Sequence, residues 1–226
     1  MISIVIPIYN EAPILNRTVG KIEKYLERVA EEYEIILVDN GSTDDTPATA
    51  REIQARTDSL RYFRIAERAP GRAFVLGVQN ARSEKIVSLD ADLSSDIAFI
   101  SHAASLLDYA DMVIGSKTLG KQKRNPIRII GSALYILIAQ LVFGISENDF
   151  SMGSKAYRRS AILEALDSID PWTGYVLELI LHLKRRGSKI IQISVECEDT
   201  RESKFNICYE GLYRYLHLYR CWRRKT

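Results

Sequence analysis

The sequence predicts an α/β fold in which a mostly parallel sheet is flanked by helices. Short runs of strand formers alternate with helix-length stretches through the first half, and the runs are apolar on both faces, as in parallel βαβ units covered above and below. Three of those runs also end in polar, acid-bearing segments, and in an open parallel sheet such exits converge on one crevice outside the carboxyl ends of the strands.

Taken in order, residues 2–6 read as a strand and 12–31 as a helix. A second strand over 34–38 leads to a helix over 44–56, with Ser42 or Thr43 as its cap and Pro47 tolerated in its first turn. Strands over 60–65, 85–89 and 112–115 follow, with helices over 72–81 and 96–107 between them. The second half is less regular. Lys121, Lys123, Arg124 and Arg128 precede residues 129–145, which carry no charge. That stretch falls short of the roughly 20 residues needed to cross a bilayer, so it reads equally as a helix buried in the protein or one lying in a membrane interface. A helix over 175–186 and a strand over 189–195 come next. Leu212, Tyr215, Leu216, Tyr219 and Trp222 then recur at helical spacing among Arg214, Arg220, Arg223, Arg224 and Lys225. Such an amphipathic helix suits either a headgroup layer or docking on the protein's own sheet.

With 226 residues and 46% hydrophobic content the chain can fill one core without disulfides. A formal net charge of +2 excludes a general nucleic-acid binder. Cys197, Cys208 and Cys221 are odd in number and lack metal-ligand spacing in the sequence, which fits a reducing compartment and bystander roles. The amino terminus enters a strand directly, without the pattern of a secretory signal, so the expected location is cytoplasmic.

The acid-bearing exits carry the chemistry. Asp90 and Asp92 stand two apart at a strand end, so their side chains point the same way and repel unless a cation lies between them. Hard oxygen ligands select Mg²⁺ or Mn²⁺, which keep positions open for substrate phosphates. An ordinary turn explains such a pair equally well in isolation. A second exit, Asp39-Asn40 followed by Gly41 to Thr46, and a third, Pro7 to Glu11, point instead to a site. No Gly-x-Gly-x-x-Gly follows the first strand, which excludes a dinucleotide-binding dehydrogenase.

Pro7 to Glu11, Asp39 to Thr46, Asp90-Ala91-Asp92, Asp149 to Arg159 and Arg201-Glu-Ser-Lys204 together resemble the inverting family 2 glycosyltransferases of GT-A fold. Within that family the chain looks most like the polyprenyl-phosphate glycosyltransferases, of which dolichol-phosphate mannosyltransferase is one. The resemblance covers nearly the whole chain in order. It implies one GT-A-like catalytic domain over 1–205, with a nucleotide-sugar half (1–116) and an acceptor half (117–205), followed by a basic, aromatic helix over 206–226. It assigns Pro7, Tyr9 and Glu11 to the nucleotide pocket, Asp39 and Asn40 to the base or ribose, and Asp90, Ala91 and Asp92 to the donor diphosphate, with both aspartates as ligands of Mg²⁺ or Mn²⁺. Lys117, Arg128, Ser132, Arg201 and Lys204 would bind donor or acceptor phosphates, and Gly174, Tyr175 and Glu178 match an element near the sugar. Asp92 and Asp149 are the catalytic candidates, Asp149 as orienting group or base. Asn40 replaces the second Asp of the family's pair, Ser94 stands where Gln is frequent, and Lys117 stands where Arg is usual.

The expected reaction moves a sugar from a nucleotide-diphosphate donor, GDP-mannose or a UDP-hexose, to a polyprenyl phosphate, from a position on the cytoplasmic face of a membrane. A phosphate monoester has a second pKa near 6 and attacks without a base, so the acceptor needs positioning by cations instead of deprotonation. Transfer to a sugar hydroxyl, or a noncatalytic sugar-nucleotide-binding subunit of a membrane-protein complex, are the alternatives.

Overall fold

The computed structural model describes residues 1–123, 126–198 and 207–225. In chain order these form β1 (Ile2–Ile8), α1 (Ala12–Arg28), β2 (Tyr33–Asn40), α2 (Thr46–Arg56), β3 (Leu60–Ile65), α3 (Pro70–Asn80), β4 (Lys85–Ser88), α4 (Phe99–Leu106), β5 (Met112–Ser116), β6 (Gln122–Lys123) and α5 (Pro126–Phe143). They continue as β7 (Lys155–Arg158), α6 (Arg159–Ile162), α7 (Tyr175–Arg185), β8 (Ile190–Ser194), β9 (Cys197–Glu198) and α8 (Ile207–Lys225).

Seven strands make one sheet in the order β3-β2-β1-β4-β7-β5-β8. All neighbours are parallel except β7, which runs antiparallel to both β4 and β5. The mixed, mostly parallel sheet flanked by helices is therefore present. Strand alternation sorts the core into two layers. Ile4 and Ile6 of β1, with Ile35 and Leu37 of β2, face the layer of α1, α2 and α4. Val5, Ile36 and Val38 face the opposite layer, filled by α3, α5 and α7. α1 follows from the same logic, because Leu15, Val19, Ile22 and Leu26 fall on one face and all four are buried.

β1 pairs with β2 on one side and β4 on the other, so successive crossovers leave it in opposite directions. That is a topological switch point, where the connections after β1 and β4 diverge and open a crevice.

One expectation requires correction, one strand was not foreseen, and the uncharged stretch takes a definite form. Neither Ser42 nor Thr43 caps α2, whose preceding residue is Asp45. Ser42 Oγ instead accepts the Asn10 N–H at 2.9 Å and the Thr43 N–H donates to Asn10 Oδ1 at 2.8 Å, joining the β1 and β2 exits. The strand β7 was not anticipated. The uncharged stretch is helical in α5 and divides lengthwise: Tyr135, Ile136, Ala139 and Phe143 are buried, while Ile130, Leu134, Leu137 and Leu141 are exposed. Among the described residues no helix is long and apolar enough to cross a membrane.

At the opposite end of the sheet Glu34 ties four strands' surroundings together. Its carboxylate accepts Ser3 Oγ–H at 2.6 Å, the Arg82 N–H at 2.7 Å and the Arg61 guanidinium at 2.6 Å, and it is almost wholly buried. Glu34→Ala leaves Arg61 and two donors without their acceptor, so a loss of about 3 kcal/mol is expected in urea unfolding. Unchanged stability would refute this role.

Candidate functional site

The carboxyl ends of β1, β2 and β4 deliver the three exits to the switch-point edge. After β1, Asn10 adopts a left-handed φ of 53°, and the Glu11 and Ala12 N–H groups both donate to Thr46 Oγ1, at 2.7 and 2.9 Å. Pro7 and Tyr9 are partly exposed and Glu11 is nearly buried at the start of α1. After β4 the chain turns sharply, with the Leu93 N–H donating to the Asp90 carbonyl at 3.0 Å and Leu93 at φ 51°. A bulky residue in the left-handed region is strained, and such strain persists where the surroundings fix it. Here Thr18 of α1 fixes it, donating its hydroxyl to the carbonyl of buried Ala91 at 2.6 Å.

This turn holds Asp90 and Asp92 together. Asp90 Oδ2 accepts the Gly153 N–H at 2.8 Å, and a Cβ on Gly153 would lie 2.5 Å from Asp90 Oδ1. Asp92 Oδ1 accepts the Ser94 N–H at 3.0 Å. Burial first, and the Asp92 charge second, push the Asp90 carboxyl up to about 6. A carboxyl raised by burial and by an adjacent carboxylate marks a place for a cation, and oxygen donors of this type fit Mg²⁺ or Mn²⁺.

Asp39 and Asn40 end β2, and both are buried. Asp39 accepts the Ser42 N–H at 2.8 Å and Tyr62 Oη–H at 3.0 Å, and its Oδ2 lies 3.3 Å from Arg64 Nε. Burial and then Asp39 push the Tyr62 phenol up to about 12. Asn40 Oδ1 accepts the Ala69 N–H. As they stand, these two side chains shape the crevice wall through protein partners. Beside them Arg68 lies over the Tyr9 ring, Cζ 4.1 Å from its centroid and 5.7 Å from that of Trp172. Neither Arg68 nor Trp172 stood in a recognisable motif, so the sequence reading missed both.

Asp149 meets a different fate from Asp90. It is fully buried, with Lys117 Nζ at 3.0 Å and Lys155 Nζ at 3.7 Å, and it accepts the Ser151 and Met152 N–H groups at 3.0 and 3.1 Å. Burial, which pushes its carboxyl up, is outweighed by Lys155, Lys117 and these hydrogen bonds, which together hold it well below the usual range. Burial lowers Lys155 itself to about 8. An anion so stabilised is a poor proton acceptor, which counts against Asp149 as a base. Lys117 likewise spends its ammonium on Asp149 and on Ser151 Oγ at 2.7 Å instead of an open surface.

The remaining candidates separate. Ser132 is partly exposed on α5, and Arg128 sits in its first turns. Arg201 and Lys204 lie outside the described residues. Tyr175 is partly buried, stacks on Phe74 with centroids 4.8 Å apart, and has its phenol raised by desolvation and next by Asp90. Glu178 turns its carboxylate toward α8, where His217 Nε2 lies 3.1 Å away.

The Glycosyl transferase family 2 model matches residues 3–166. An undecaprenyl-phosphate 4-deoxy-4-formamido-L-arabinose transferase from Pseudomonas syringae is 30% identical over 167 residues, 71% of this chain and 48% of that protein. Glycosyltransferase AglD from Haloferax volcanii is 25% identical over 235 residues, 100% of this chain and 37% of that protein. The chain thus spans about half or less of the length of these relatives. In fold it is similar to glucosyl-3-phosphoglycerate synthase from Mycobacterium tuberculosis in complex with UDP, with a TM-score of 0.72, 17% identity and coverage of 96% of this chain and 78% of that one. It is similar also to mannosyltransferase PcManGT from Pyrobaculum calidifontis in complex with GDP-Man and Mn²⁺, with a TM-score of 0.65, 20% identity and coverage of 96% and 61%. A family match over most of the chain, on a sheet whose switch point carries paired carboxylates, means that the chain belongs to glycosyl transferase family 2.

Proposed function

We propose that the chain transfers a sugar, with inversion, from a nucleotide-diphosphate donor to a polyprenyl phosphate at a membrane surface. The observation that carries the donor half is the Asp90–Asp92 pair at the switch point, where burial and the neighbouring Asp92 charge hold the Asp90 carboxyl at about 6 although Lys155 and Lys117 oppose that rise. Asp90 and Asp92 would hold a divalent ion, which when bound would supply positive charge to the departing diphosphate. Its support here is the donor set together with a solved relative that holds Mn²⁺ and GDP-Man.

The acceptor half rests on Asp149 and on the two long helices. Transfer to a sugar hydroxyl needs a base, and Asp149 is sequestered by two lysines. A phosphate acceptor brings its own anionic oxygen. That oxygen forms a bond to the anomeric carbon as the carbon–oxygen bond to the nucleoside diphosphate breaks, so an α-linked donor gives a β-linked lipid phosphosugar. Arg128, Ser132, Arg201 and Lys204 are our candidates for the phosphates, with Pro7, Tyr9 and Glu11 on the nucleotide side. Undecaprenyl phosphate in the name of a relative supports this acceptor class.

A lipid acceptor requires a surface that meets the bilayer. Ile130, Leu134, Leu137 and Leu141 of α5 are exposed at spacings of four and three, and so are Tyr209, Leu212, Leu216 and Tyr219 of α8. The two helices pack together, with the Tyr135 and Tyr215 rings 5.7 Å apart. Exposed Arg220, Arg223 and Arg224 follow on α8, and each cation near an anionic surface adds roughly 1 kcal/mol.

Three outcomes are expected. Asp92→Asn lowers turnover about a hundred- to thousandfold with the fold intact by circular dichroism; undiminished turnover would favour a binding subunit. The raised Asp90 carboxyl makes its stability contribution complete below its ordinary 3.8 and lost as pH rises through about 6. In metal-free buffer at pH 7, Asp90→Asn is therefore more stable than the parent by up to about 3 kcal/mol in urea unfolding, and the gap closes at pH 4. A gap independent of pH would sink the like-charge account. Leu137→Glu combined with Leu141→Glu reduces sedimentation with anionic vesicles and turnover of long-chain polyprenyl phosphate, while turnover of a short soluble analogue stays. Equal loss on both acceptors would locate the defect in the crevice.

A further inference from the structure

Away from the crevice, α7 and α8 bring together a second set of ligand atoms. Among the described residues, Glu178, His217 and Cys221 form a group whose donor atoms all lie within 4.8 Å of one another. We propose that they form a metal site of zinc type that staples α8 to α7, independent of the donor site and of the transferase reading.

The distances suit a small tetrahedral ion. With zinc bonds of about 2.3 Å to sulfur and about 2.0–2.2 Å to nitrogen and oxygen, ligand atoms stand roughly 3.3–3.6 Å apart. Glu178 Oε1 lies 3.1 Å from His217 Nε2, Cys221 Sγ lies 3.5 Å from Nε2, and Sγ lies 3.6 Å from Oε1. Thiolate, imidazole and one carboxylate are a ligand set that zinc accepts and that Mg²⁺ does not favour. The site is also set in place. His217 and Cys221 fall at i, i+4 on one face of α8, and both are buried. The imidazole lies against Gly174, where a Cβ would overlap the ring. Glu178 is anchored through Oε2 by the Asp170 N–H, which leaves Oε1 for the other two residues.

A buried cysteine needs no polar partner, because it packs as a small apolar group. Cys221 borders the core cluster, yet its sulfur faces a carboxylate and an imidazole. Sγ is also 3.8 Å from Nδ1, farther than from Nε2, so Nε2 is the ring atom placed between the carboxylate and the sulfur. Arg224 Nη1, on a mostly exposed side chain, stands 3.5 Å from Oε1. On binding, the metal takes over from that cation, and water entering on the same side completes the coordination.

The test uses the full chain stripped with a chelator and titrated with Co²⁺ or Zn²⁺ alone. Co²⁺ is expected to give a thiolate-to-metal charge-transfer band at one equivalent. The band persists in Asp90→Asn and in Cys197→Ser and is lost in Cys221→Ser, where Zn²⁺ affinity falls by more than about a hundredfold. In the Asp90→Asn background, where the crevice carboxylate pair is broken, Zn²⁺ raises the Tm, and adding Cys221→Ser abolishes that rise. Absence of the band in the parent, its survival in Cys221→Ser, or an equal Tm rise in both proteins would overturn the proposal. A carboxylate-only site gives no such band, so failure here leaves the donor reading standing and failure of Asp90 leaves this one.

Discussion

The structure depends on how the turn after a central strand tolerates two carboxylates close enough for one to oppose the ionisation of the other. Asp90 and Asp92 sit where β4 leaves the sheet beside β1, and their repulsion is held in place by a strained turn, the Thr18 tie to Ala91 and the bare backbone of Gly153. Nearby Asp149 solves the same problem in reverse, with two lysines brought to one buried acid. Environments that push two acids apart in this way separate their roles. Asp149 fixes the loop that presents Gly153 to Asp90, and burial beside Asp92 keeps the Asp90 carboxyl raised although Lys155 and Lys117 also act on it.

Much of this was legible because β1 to β5 obey local rules. The apolar runs of β1, β2, β4 and β5 are buried on both faces, while β3 at the sheet edge is mostly half-buried, and the sharp turns after β1, β2 and β4 concentrated the acids at recognisable places. β7 escaped because its four residues include Lys155, a cation whose burial makes sense only beside Asp149, and because an antiparallel insertion has no periodic signature. The same long-range pairing explains why Asp149 and Lys117 read as open, substrate-facing groups: a sequence shows charges, not which of them neutralise one another. α5 was ambiguous for a different reason. A run without charge does not say which of its faces is covered, and the structure covers one and exposes the other. Nor did cysteine spacing along the chain reveal that Cys221 meets Glu178, a contact made only when α8 folds back onto α7.

The exposed helices and the crevice are joined through one short loop. Asp170 accepts the Trp172 and Gly174 N–H groups at 3.1 and 2.7 Å and also the Tyr213 hydroxyl of α8, while Glu210 of α8 accepts Trp172 Nε1–H at 3.0 Å. On its other side the loop meets α3, where the Gly71 N–H donates to the Pro171 carbonyl at 2.9 Å and a Cβ on Gly71 would overlap the Asp170 carbonyl. Trp172 then flanks Arg68, which lies on Tyr9 of the β1 exit. Tightly packed elements move as units rather than deforming continuously. These contacts tie α8, the helix with an exposed apolar face, through residues 170–174 to the wall of the crevice, and the close fit at Gly71 holds that loop against α3.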